Sequence, residues 1–189
     1  FNWGTGDNNV YPTRFREKFF SRLCQKAVII LSHQRDEVTI KPFIRISKEV
    51  MDKLQTPISL IAHPSGPTFK YPNIQYGIGY KQHEKAQLVV YDSLVHTLIY
   101  ARILSKRPFL ITDKNFTEIA PASENAFKYI SLLEEAGILI PLESLQKRVE
   151  YWMNLSPEDA KKKFEKKALL VFKHVLDQPK LQEALSTDK

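Results

Sequence analysis

The chain has almost no cysteine. Cys24 stands alone among 189 residues, which excludes an internal disulfide and any cysteine-based zinc site and gives no reason to leave a reducing compartment. No apolar run approaches the roughly 20 residues of a membrane span. There is no start methionine and no signal-peptide pattern at Phe1, so a fragment or trimmed form of a longer protein is expected. A dinucleotide fingerprint is missing too, because Gly77-Ile78-Gly79 is followed by neither a third glycine nor a helical pattern. Internal repeats and low-complexity tracts are absent.

What is present describes an ordinary core. Hydrophobic residues make up 43% of the chain and charged residues 26%, enough for one good core and too apolar for disorder. The +7 net charge is uneven. Residues 1–80 hold 11 Lys+Arg against 6 Asp+Glu, residues 81–150 balance 9 against 9, and residues 151–189 hold 8 against 6. In the first segment Arg14, Lys18, Arg22 and Lys26 recur every fourth residue, a basic stripe if residues 12–26 are helical, with Phe15, Phe19 and Leu23 beside it. Such a stripe suits a nucleic-acid or protein partner as well as plain solvent.

The most informative stretch is Gln87–Asp113, QLVVYDSLVHTLIYARILSKRPFLITD. An apolar run, Leu88–Tyr91, leads into Asp92-Ser93, an amphipathic segment to Ser105, a basic turn at Lys106-Arg107-Pro108 and a second apolar run, Phe109–Thr112. Two buried strands joined by a helix form a parallel βαβ unit with a right-handed crossover. Ligands of such sheets bind beyond the carboxyl ends of the strands, which singles out Asp92-Ser93. Further strands are expected at Ala27–Leu31, Glu37–Ile46 and Ile58–Ala62. The second of these alternates Val38, Ile40, Ile44 and Ile46 and is interrupted by Pro42. Ser47 is expected to cap a short helix to Leu54, and Pro64–Tyr80 to be a long loop. Helices are expected over 123–136, stopped by Gly137, and from Pro141 to Met153. Another begins at Ser156-Pro157-Glu158-Asp159, with Ala160, Phe164, Ala168, Val171 and Val175 on one face.

This order of elements, with LVVYDSLVHTLIYARILSKRPFLITD and ENAFKYISLLEEAGILIPLESLQKRVEYWMNLSPEDAKKKF, resembles the C-terminal nucleotide-sugar-binding lobe of GT-B glycosyltransferases. Among these it is most similar to transferases of bacterial surface-carbohydrate biosynthesis, over about residues 12–176. The resemblance implies a Rossmann-like three-layer α/β lobe with a mostly parallel sheet. A linker or chain end over 1–11, the donor-binding lobe over 12–155 and a C-terminal helical closure over 156–189 follow from it. It implies a nucleotide-diphosphate sugar as donor substrate, a glycan or lipid-linked acceptor and no cofactor. A second α/β lobe would complete the catalytic unit, and the location would be cytoplasmic, including the inner membrane face. Where many members carry a ribose-binding Glu in the crossover helix, this chain has Tyr100. The usual His-Pro strand-end motif is represented by Lys41-Pro42-Phe43-Ile44-Arg45.

Candidate binding residues follow. Ser93, His96 and Thr97 would meet the donor phosphates, with Arg45 or Lys41 as counter-charge, and His63 and Tyr100 would contact base or ribose. Each has a plainer role available: Ser93 as a helix cap, His96 and His63 in packing, Lys41 and Arg45 as solvated strand-end cations. No metal site and no catalytic residue are assigned. Two other functions fit parts of the sequence. The basic stripe over 12–26 suits a non-catalytic RNA- or protein-binding module. The Asp92-Ser93-Leu94…Thr112-Asp113 spacing also resembles the second half of PIN-type Mg-dependent nucleases, although residues 27–46 offer only Asp36-Glu37 in place of an opening-strand aspartate. A helix-turn-helix over 114–137 is disfavoured, because its second helix would carry Glu124, Glu134 and Glu135 against Lys128.

Overall fold

A computed structural model describes residues 27–31, 37–55, 58–62, 74–76, 80–94, 98–112 and 124–177. The basic stripe over 12–26 lies outside them. In chain order the elements are β1 (Ala27–Leu31), α1 (Glu37–Leu54), β2 (Ile58–Ala62), β3 (Ile74–Tyr76), α2 (Tyr80–Lys85), β4 (Leu88–Tyr91), α3 (Leu98–Leu104) and β5 (Phe109–Ile111). Then come α4 (Glu124–Glu135), a 3-10 turn (Leu142–Ser144), α5 (Leu145–Met153), α6 (Pro157–Lys167) and α7 (Leu169–Leu176).

The strands form one five-stranded parallel sheet in the order β3-β2-β1-β4-β5. Leu88, Val89, Val90 and Tyr91 are all buried, as are Phe109, Leu110 and Ile111. Strands covered on both faces read as continuous apolar runs, and these do. Beyond β5 the chain returns at Ile138–Ile140. Ile111 N–H donates to Ile138 O and Ile140 N–H to Ile111 O, each at 2.9 Å, in a single parallel bridge. Right-handed crossovers that step in opposite directions from the centre place α1 and α3 on opposite faces. The molecule is therefore a three-layer α/β structure with the strand order of a dinucleotide-binding sheet.

Three sequence expectations are corrected. Glu37–Ile46 is not a strand but the first half of α1, and Ser47 lies inside that helix rather than capping one. Ile40, Phe43, Ile46, Ser47 and Val50 are buried along one face, and the apolar stripe of period 3.6 prevails over the period-2 alternation of Val38, Ile40, Ile44 and Ile46. Pro42 removes one helical hydrogen bond, and burial of that stripe offsets the loss. Ser47 Oγ donates to Phe43 O at 2.7 Å, the local bond that lets a buried serine sit mid-helix. The crossover helix α3 runs from Leu98, not from Ser93, since Asp92–Leu94 form bends and a turn. Finally, the loop expected over Pro64–Tyr80 contains β3 and leads directly into α2.

The C-terminal signals appear where expected. Gly137 takes φ +63°. Its N–H bonds Glu134 O, and Ile138 N–H bonds Leu133 O, both at 2.8 Å, a closed helix stop that glycine enters without steric cost. Ser156 accepts the Asp159 N–H at 3.1 Å, with Pro157 in the first turn of α6. Ala160, Phe164, Ala168, Val171 and Val175 are all buried, although the helix breaks at Ala168 (φ −91°, ψ 8°). Phe164 joins these helices to the sheet, edge-on to Phe109 at 5.3 Å and to Trp152 at 5.7 Å.

One buried cation ties the sheet's amino edge together. Arg102 is 1% exposed. Its Nη1 donates to His83 O and Ala86 O, and its Nη2 to Ala86 O, Gln87 O and Pro108 O, at 2.7–3.3 Å. Burial pushes its pKa down to about 10, so it stays charged at neutral pH. Only the forked guanidinium can serve four carbonyls from one position. Arg102→Lys should therefore leave buried carbonyls unmet and cost at least about 2 kcal/mol in urea unfolding; a loss below half of that would show the fork to be dispensable.

A second tie joins α1 to α5, where Lys53 Nζ meets Glu150 Oε2 at 2.5 Å. The Lys53 hydrogen bond holds the Glu150 carboxyl below the usual carboxylate range. A depressed carboxylate stabilises the fold above its unfolded pKa, and that contribution disappears as pH falls through the folded value. Lys53→Met should lower the urea midpoint slightly at pH 7, and the gap should shrink at a pH below the usual carboxylate range. A gap of equal size at both pH values would mean the ammonium acts through packing alone.

Candidate functional site

The strand order reverses between β1 and β4. From β1 the chain crosses to β2 and β3 on one side, then returns to β4 and β5 on the other. In open α/β sheets the position outside the carboxyl ends of the two strands at such a reversal is the usual place for a ligand. Ile30 pairs with Tyr91 at this edge, and Tyr91 with Ile111. The described residues that follow β4 at this edge form its rim.

Asp92, Ser93 and Leu94 are the described residues of the β4 rim. Asp92 is 0% exposed, Ser93 is half-buried, and Leu94 is half-buried and packs against the core. A carboxyl group wholly withdrawn from solvent is costly unless polar groups meet it. Thr112, just past β5, donates its N–H to Tyr91 O at 2.9 Å, with its Oγ1 at 3.4 Å from the same oxygen. The ends of β4 and β5 are thereby fastened side by side.

Beneath this rim runs a buried polar relay that sequence reasoning did not find. Tyr91 is fully buried, and its hydroxyl donates to Leu98 O at 3.1 Å. His83 Nε2 lies 2.5 Å from the same hydroxyl. The hydroxyl thus sits between Leu98 O and His83 Nε2, whose role in that contact follows the imidazole tautomer. His83 O in turn accepts from Arg102 Nη1 at 3.0 Å. Burial raises the Tyr91 pKa far above its ordinary value, opposed by the Arg102 charge and assisted by Tyr129. The phenol thus remains a donor throughout the physiological range, holding the first residue of α3 beside the β4 rim. No spacing rule reveals this relay, because its members come from α2, β4 and α3 and meet only after packing.

The candidate residues separate. Ser93 lies at the rim. Lys41 and Arg45 are not strand-end cations; both are exposed on α1, opposite the buried Phe43 and Val50, and Arg45 lies 3.9 Å from Glu49. Lys41 is one helical turn from the start of α1, which follows the carboxyl end of β1, and Arg45 is a turn farther away. Tyr100 is exposed on α3, within electrostatic reach of Tyr129. His96, Thr97 and His63 lie outside the described residues, as does Asp113 of the nuclease-like spacing. Among the described residues, no three His, Cys, Asp or Glu side chains gather as a metal site, and no helix is long and apolar enough to cross a membrane.

No protein-family model matches the chain, and no curated protein does. Among solved structures, it is similar to the Methanocaldococcus jannaschii UDP-GlcNAc 2-epimerase in complex with UDP-GlcNAc and UDP. The two share 16% identity and a TM-score of 0.45 over 85% of this chain and 49% of that one. The chain spans about half the length of that enzyme.

The relay makes a stability prediction. Tyr91→Phe keeps the ring against Phe109, 6.2 Å away, but removes the hydroxyl shared by His83 Nε2 and Leu98 O. Urea unfolding should show a loss of about 1–3 kcal/mol. Hydrogen exchange should quicken first in α3; uniform quickening would mean that the phenol does not anchor that helix.

Proposed function

We propose that this chain is a nucleotide-sugar-binding lobe, the donor half of a two-lobed sugar transferase. The observation that carries the reading is the reversal of strand order between β1 and β4, with Asp92-Ser93 on its rim. An open parallel sheet of this order offers a nucleotide its crevice at that point and nowhere else along the edge. The resemblance of the Asp-Ser segment, the Lys/Arg-Pro turn and the C-terminal helices to donor lobes of surface-carbohydrate transferases gives the nucleotide its sugar.

In this reading the diphosphate lies over the loop that begins at Asp92, with donors from Ser93, His96 and Thr97. Lys41 is the better placed of the two proposed counter-charges, because Arg45 lies deeper along α1 and beside Glu49. His63 and Tyr100 remain the proposed contacts for base or ribose. The acceptor and the groups that activate it would come from a second α/β lobe facing this edge, since both substrates must be held together for transfer. The lobe alone would bind donor without turning it over.

Titration by calorimetry and NMR shift mapping with UDP, GDP and CDP tests this. One of them should bind saturably, with shifted amides around Ser93 and Leu94. Ser93→Ala should weaken binding about fivefold and Lys41→Ala about tenfold, matching one neutral and one charge-assisted hydrogen bond. Lys162→Ala, on α6, should leave it unchanged. Absence of saturable binding, or shifts confined to residues 12–26, would move the function to the basic stripe and a binding module.

A further inference from the structure

Two helix faces of this chain lie in solvent with opposite charge and large apolar side chains. The first is on α4. Glu124, Phe127, Lys128, Ser131, Glu134 and Glu135 recur at three- and four-residue spacing on the side away from buried Leu133, and all six are exposed. Three glutamates against one lysine make this stripe acidic in a chain whose net charge is +7. Among the described residues, neither Glu134 nor Glu135 has an ion-pair partner. Phe127, within the stripe, is 60% exposed.

The second face is on α7. Leu169, Leu170 and Lys173 lie on the side away from buried Val171, Phe172 and Val175, and the two leucines are 51% and 57% exposed. Lys166, one turn before Leu170, is exposed as well. Glu165, the single acid between Lys161 and Lys173, already has Lys106 at 3.7 Å. This face is therefore basic around its apolar tips. Within one molecule the two faces do not meet. Tyr129 stacks on His174 of α7 at 6.1 Å, and helical spacing puts Tyr129 on the other side of α4 from Phe127, Ser131 and Glu134. The contact that joins α4 to α7 thus leaves the acidic stripe pointing away.

We propose that α4 of one copy of this chain docks on α7 of a second copy. Phe127 seats against Leu169 and Leu170, while Glu134 and Glu135 meet Lys166 and Lys173. Opposite charge around apolar tips steers two such surfaces together and keeps like from like. Nucleic acid or anionic lipid would use only the lysines and would be repelled by the glutamates. A second copy satisfies both faces, because every copy carries both. The two surfaces differ, so the contact is head-to-tail and leaves one face of each kind free to continue. Helices of 12 and 8 residues offer less area than the roughly 800 Å² per partner of a standard interface, so association is weak and concentration-dependent. No residue of either face belongs to the proposed donor site, and the proposal stands apart from that reading.

Sedimentation velocity of the whole chain tests it. The weight-average mass should rise with concentration between about 10 μM and 1 mM, and salt at about 0.5 M should lower it. Phe127→Ser should weaken self-association at least about tenfold, and so should Leu169→Ser with Leu170→Ser. The decisive sample is an equimolar mixture of these two variants. One keeps the α7 face and the other the α4 face, so the mixture should associate and stop at a dimer. Neither variant should shift the melting temperature much or alter nucleotide titrations, because the three side chains are exposed and outside the donor site. A parent that stays monomeric throughout would overturn the proposal, as would variants that associate like the parent or a mixture that stays monomeric. A monomeric parent that pellets with anionic vesicles through Leu169 and Leu170 would overturn it too, and would assign the α7 face to lipid.

Discussion

Arg102 is the constraint on which the arrangement rests. A parallel sheet needs each crossover to end in register with the next strand, and here three segments converge where β4 and β5 begin. The end of α2, the residues before β4 and Pro108 before β5 all present carbonyls to one guanidinium. Its Nε finds no partner among the described residues. The balance still favours the charge, because four carbonyls in a low-dielectric interior would cost more without it. Through His83 the same residue reaches Tyr91, and through Tyr91 the first turn of α3. A group at the amino edge thereby fixes the position of a loop at the carboxyl edge.

That linkage gives the domain two chemically different ends. At the carboxyl edge the polar residues are buried or half-buried: Asp92, Ser93 and Thr112. Such groups are held by the fold. At the amino edge the lysines of α6 and α7 lie in solvent. Between the two, Phe109, Phe164, Trp152 and Phe172 form a continuous aromatic core that couples the C-terminal helices rigidly to the sheet.

Much of this was legible along the chain, for local reasons. Apolar runs at Ala27–Leu31, Ile58–Ala62, Leu88–Tyr91 and Phe109–Ile111 admit few alternatives to buried parallel strands once a crossover helix separates them. Gly137 and Ser156-Pro157 act through backbone conformation and one or two hydrogen bonds within four residues, so their roles transfer directly from sequence to structure. The position of Ser93 just past the carboxyl end of β4 follows from the same logic.

Other features needed the tertiary structure. Residues 38–50 carry two apolar periods at once, and only the surface offered by β2 and α5 selects the helical one. The Tyr91 hydroxyl meets Leu98 O, a bond between residues seven apart, and His83 from another helix. The basic residues of α1 could not be placed before its helical state was known, and that state turned them outward. The sequence by itself determined which segments bury their side chains, since hydrophobicity and backbone preference are properties of the residues present. Tertiary structure decided which buried polar groups meet and which edge each cation faces, because those depend on contacts between segments far apart in the chain.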